Sequence, residues 1–138
     1  MARSTTPAPA ALTPIALILL LWHAGFAADY VVTRFGLGEG LPGIMHLLPL
    51  SALWLKVAWA MAVWLGFGAA FFLVLRDNAS VILFFAAAVA ALVVTVGLYP
   101  QAMPALPVPL LALCVPMVVL PAFGWVYARA LNRNGVLH

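Results

Sequence analysis

Charge is scarce in this chain. Of its 138 residues, six are Lys or Arg and three are Asp or Glu, 7% in all, where a soluble globular domain carries about 25%. So few polar groups cannot cover the surface of a globule, which excludes an ordinary soluble domain. The six cations are isolated from one another, so the net charge of +3 forms no stripe that could track phosphates, and nucleic acid is excluded as a partner. Cysteine occurs once, at Cys114 inside an apolar run, so no internal disulfide can form. His23, His46 and His138 lie in separate segments, and none has a His or Cys four residues away, so the sequence offers no metal site. No Ser/His/Asp set, carboxylate pair or phosphate loop can be assembled either, and neither an enzyme nor a cofactor is expected. A single neutral imidazole suffices to ligate a pigment magnesium, but nothing in the sequence specifies a pigment.

What the chain has instead is apolar surface: 67% of residues are hydrophobic and the mean hydropathy is +1.20. A membrane span takes about 20 predominantly apolar residues. Segments near 14–33, 52–75, 79–99 and 109–131 meet that requirement. Backbone groups in lipid must be satisfied within the segment, which selects helices, and the ten-residue alternation of a barrel is missing. The predicted fold is therefore all-α, an integral membrane four-helix bundle forming a single domain over 1–138, with a flexible N-terminus at 1–11. The lipid bilayer is its first partner. The short link RDN at 76–78 forces the second and third helices into an antiparallel hairpin.

Arg3, Arg76, Arg129 and Arg133 fall on the side of the termini, and Arg34 and Lys56 on the other, which puts both termini in the cytoplasm. A second reading of the N-terminus stands beside this one. Arg3, the apolar IALILLLW and the small residues before Ala28 resemble a signal peptide, and cleavage after Ala27 would leave three spans. The apolar run continues past that point through Tyr30, Val31 and Val32, which suits a span better.

The polar residues that remain are concentrated in the first span. Trp22, Phe26, Asp29 and Thr33 share one helical face, and His23, Ala27, Tyr30 and Arg34 form the adjacent stripe. Trp22, His23, Tyr30 and Thr33 make a candidate functional cluster. Lys56, on the second helix, matches Asp29 in depth. Either the two form an interhelical ion pair, or Lys56 snorkels to the interface while Asp29 is hydrated or protonated. His23 is a proton-relay or ligand candidate on one reading and a hydrogen-bonded structural residue on the other.

Packing signals lie in the second helix, where Ala58, Ala62, Gly66 and Ala70 form a small-residue ladder. Such a ladder lets another backbone approach closely, and Ala86, Ala87, Ala90 and Ala91 answer it on the third helix. Trp54 and Trp59 are expected at the outer interface and Trp125 and Tyr127 at the inner one. Pro116 and Pro121 are expected to kink the fourth helix, as a hinge or as shape alone.

Several of these residues also carry a resemblance. Trp22-His23, Asp29-Tyr30 and Thr33, followed by Pro49, Trp59-Ala60, Val63-Trp64, Gly66, Gly68 and Leu75-Arg76, resemble a family of small bacterial four-span integral membrane proteins. The likeness covers roughly the first 80 residues. It departs at His23, where the family more often carries Asn. It implies a multi-pass protein of the bacterial inner membrane. Many members bear the label sugar transporter, yet this chain has no intramembrane Asn/Gln/Glu set to recognise hydroxyls. Two functions follow as expectations. One is a non-catalytic scaffold or accessory subunit binding other membrane subunits or itself. The alternative is an oligomeric carrier of a small, sugar-like solute. Polarity gathered at the outer end favours the scaffold.

Overall fold

The structure, a computed structural model, describes residues 7–38, 48, 50–102 and 108–138. Arg3, His46, Pro49 and the middle of the Pro-rich stretch before the fourth helix lie outside the described residues. Four helices are present among the described residues: α1 (Leu12–Phe35), α2 (Leu53–Val74), α3 (Ala79–Ala102) and α4 (Val108–Arg133). Each is long and apolar enough to cross a membrane, α4 over Cys114–Arg133. Of the segment expected to be flexible, Ala8 packs against the end of the bundle.

The helix ends explain the turns. Gly36 sits at φ 63° after α1, and the Leu37 N–H donates to the Val32 carbonyl at 3.0 Å. Gly135, at φ 69°, closes α4 in the same way, with the Val136 N–H on the Leu131 carbonyl at 3.0 Å. These are the left-handed closures for which glycine is favoured. α2 uses the same closure without glycine: Arg76 takes φ 61°, and the Arg76 and Asp77 N–H groups donate to Leu73 and Phe72 at 3.1 and 2.9 Å. Asp77 then starts α3, its Oδ1 accepting the Ala79 N–H at 2.8 Å and its carbonyl the Ser80 hydroxyl at 2.8 Å.

A non-glycine residue in this conformation costs about 1–2 kcal/mol. Arg76 recovers part of that through the helix dipole, about 0.3–1 kcal/mol for an exposed cation. Alanine would keep the strain and lose the charge. Arg76→Gly is therefore expected to be more stable than Arg76→Ala by about 1 kcal/mol, measured as the unfolding free energy in mixed micelles. Equal stability would show that the turn relaxes at no cost.

The helices run up and down in chain order, α1 packing on α2, α2 on α3 and α3 on α4. The order of contacts shows this directly. One apolar cluster joins Leu12, Ala16 and Leu19 of α1 to Leu73 of α2, Phe84 of α3 and Leu131 of α4, at the end holding the 75–78 turn. A second joins Phe26 and Ala27 to Leu55, Trp59, Val94 and Leu98 at the opposite end, here termed the loop end. Between them lies a thin layer of Ala62, Ala90 and Ala91. At the turn end the chain also folds back on itself: Val136 and Leu137 are buried, the His138 N–H donates to the Arg76 carbonyl at 2.9 Å, and the Asn78 N–H donates to His138 at 3.1 Å.

Lipid is as apolar as a protein interior, so close packing rather than water exclusion must hold the spans together. Three glycines show how. A methyl group placed on Gly66 would lie 2.5 Å from His23 Nδ1, and one on Gly124 would lie 2.7 Å from the Phe84 ring. A methyl on Gly97 would run into the Trp54 ring. Each glycine is a notch filled by a ring from another helix. The small-residue ladder of α2 is buried throughout, as Ala58, Ala62, Gly66 and Ala70. Its facing partner is not α3 alone, because at Gly66 the neighbour is His23 of α1. The physical reason is the drift of a four-residue ladder around a helix of 3.6 residues per turn. α4 continues as helix through Pro116 and Pro121, with Pro121 fully buried.

Candidate functional site

His23 lies on the buried face of α1 with Ala16, Leu19, Phe26 and Ala27. Only 5% of it is exposed, and its ring centre stands 6.1 Å from that of Phe84. Its Nε2 has no hydrogen-bond partner among the described residues, and neither has Trp59 Nε1. Both side chains line one small cavity of about 10 Å³, walled also by Trp22, Phe26, Val63 and Met117. That is the space one water molecule needs. Trp59 was expected at the interface. It is instead 0% exposed, meeting Phe26 edge to face at 5.9 Å, because α1 packs over its side of α2. Trp54, by contrast, is half exposed at the loop end.

A second, wider cavity opens between α1 and α2 at the loop end, about 610 Å³ in volume. Its polar wall is Tyr30, Thr33, Arg34 and Lys56, and its apolar wall Leu53, Val57 and Ala60. Arg34 and Lys56 are both exposed, and Asp29 is half-buried one residue before Tyr30. The Tyr30 ring stands on edge to Trp64 at 5.9 Å.

The structure thus divides the candidate cluster. Trp22 and His23 belong to the small enclosed cavity, while Tyr30 and Thr33 belong to the loop-end groove with Lys56. The period of α1 explains the division, since seven residues separate His23 from Tyr30, two turns and about 10 Å along the axis. Comparison with known proteins finds no matching family, no matching curated protein and no matching solved structure. No group of three or more His, Cys, Asp or Glu that could hold a metal occurs among the described residues.

Sequence reading missed Trp59 and Met117 as neighbours of His23, and Gly124 as the seat of Phe84. The first two carry no local signal, since apolar residues inside a span look alike whichever way they face. The C-terminal end of α4 is also set by rings. Trp125 packs on Phe85 with centres 5.3 Å apart, and the Arg129 guanidinium lies 5.6 Å over the Trp125 ring.

Proposed function

We propose that this chain is a non-catalytic scaffold or accessory subunit, a multi-pass protein of a bacterial inner membrane with both termini in the cytoplasm. One observation carries the reading. The bundle is filled at both ends by fully buried apolar side chains, Leu73 and Phe84 at one and Leu55, Trp59 and Val94 at the other. The polar atoms of His23 and Trp59 are enclosed between these plugs and do not line a path. Outward, α2 presents Trp54, Met61, Trp64 and Phe71, all exposed, a stripe at helical spacing that suits the flank of another helix. The resemblance to small four-span bacterial proteins, carried by residues of α1 and α2, bears on the multi-pass, bacterial inner-membrane part of this reading and not on the scaffold role.

The test is a gentle-detergent purification of the tagged chain from its native membrane, with co-purifying chains and pigments identified. The expected result is a partner at fixed stoichiometry whose recovery falls in the double variant Trp64→Ala, Phe71→Ala. A clean homo-oligomer without partners would overturn the scaffold. The alternative, an oligomeric carrier of a small solute, would then be measured by uptake, with Asp29→Asn as its control.

A further inference from the structure

The groove between α1 and α2 brings together two cations from different helices. Arg34 is the last residue but one of α1 and Lys56 the fourth of α2, so both lie where a span meets lipid headgroups. Aromatic side chains mark that level too, with Trp54 exposed and Tyr30 lining the groove; Trp and Tyr rings favour it. The wall is divided by chemistry. Arg34 and Lys56, with the hydroxyl-bearing Tyr30 and Thr33, stand against Leu53, Val57 and Ala60. Leu53 and Val57 are well exposed.

We propose that this groove seats the headgroup of an anionic phospholipid. Arg34 and Lys56 take the phosphate, Tyr30 and Thr33 supply hydroxyls to the headgroup, and the acyl chains lie along Leu53, Val57 and Ala60. Charge complementarity selects the occupant. A zwitterionic lipid brings its own cation to a site that already holds two, and a free phosphate makes no use of the apolar wall. Asp29, close by on α1, lowers the local charge without reversing it, leaving one net positive charge for the three groups. Cations near a membrane surface attract anionic lipid individually, but two cations across one groove also fix where the lipid sits. The seat is independent of the scaffold reading.

The full chain is placed in phosphatidylcholine nanodiscs carrying spin-labelled phosphatidylglycerol or phosphatidylcholine, and the relative association of the two lipids is read by electron paramagnetic resonance. The wild type is expected to prefer phosphatidylglycerol. Arg34→Gln and Lys56→Gln should each lower that preference about fivefold. Arg129→Gln with Arg133→Gln, at the other end of the bundle, should lower it by less than about twofold, because those cations lie outside the groove. Both groove residues are exposed, so the variants keep the fold, which the thermal unfolding midpoint checks. Groove variants that retain the wild-type preference would overturn the proposal, as would an equal loss in the Arg129/Arg133 variant. Inorganic phosphate that displaces the labelled phosphatidylglycerol at millimolar concentration would assign the groove to a small anion and overturn the lipid seat.

Discussion

Truncating Phe84 to Ala is expected to cost the bundle about 2–3 kcal/mol. In a water-soluble core the same change costs about 3–5 kcal/mol, of which part is lost transfer free energy and part the cavity left behind. Lipid tails are as apolar as the interior they replace, so the transfer part is largely absent here and the cavity part remains. Phe84 is the right residue for this test. It is 0% exposed, it meets His23 of α1, it shares an apolar cluster with Leu73 of α2 and Leu131 of α4, and it fills the notch over Gly124.

The notch supplies the control. Gly124→Ala puts a methyl group 2.7 Å from the Phe84 ring, an overpacking worth about 1–3 kcal/mol. In the Phe84→Ala background that methyl enters the space the ring has left, so the second change should cost close to nothing. Reversible unfolding in bicelles or mixed micelles measures all four proteins of the cycle. Additive losses would show that ring and glycine do not bear on one another, and the notch account of α3–α4 packing would fail.

The level of detail that the sequence carried follows from the physics of each feature. Four spans were legible because length and hydropathy are summed along a segment, and no tertiary contact can disguise twenty apolar residues. The hairpin at 76–78 was legible because a link that short leaves α2 and α3 no other course. Facing directions were another matter. In a soluble helix the polar stripe marks the outside, but α2 is apolar all round, so Trp54, Trp59 and Trp64 cannot be told apart by their neighbours in sequence. The structure sends Trp59 to the centre and leaves the other two half exposed. Arg76 in a glycine-like conformation was equally hidden, because the residue type argues against it. His23, Tyr30, Thr33 and Lys56 were legible as exceptional, since polar side chains in a span need a reason. Their division between an enclosed cavity and a loop-end groove required the third dimension.

Gly66 is where that division has its largest expected consequence for the site. The His23 ring occupies the place a Cβ would take, with Nδ1 and Cε1 at 2.5 and 2.7 Å from it. Gly66→Ala must therefore push the imidazole, and with it α1, away from α2, at about 1–3 kcal/mol. The buried Phe84 ring also stands 6.1 Å from the imidazole and His23 is only 5% exposed, so it has little room to yield, and the upper half of that range is expected. His23→Ala should abolish the cost of Gly66→Ala; a cost that persists would place the strain elsewhere. His23→Leu separates packing from polarity. It keeps a similar bulk against Gly66 and removes Nε2, a buried polar atom with no partner among the described residues. Such an atom costs about 1–3 kcal/mol to bury, so His23→Leu is expected to stabilise the bundle by about 1 kcal/mol. A stabler variant would mean that an imidazole is kept at the centre of the bundle against its own stability, which points to a role in function. A less stable one would mean that Nε2 is satisfied in the membrane by something bound in the cavity beside Trp59 and Met117. Unfolding of His23→Leu in the presence and absence of its native lipids distinguishes the two.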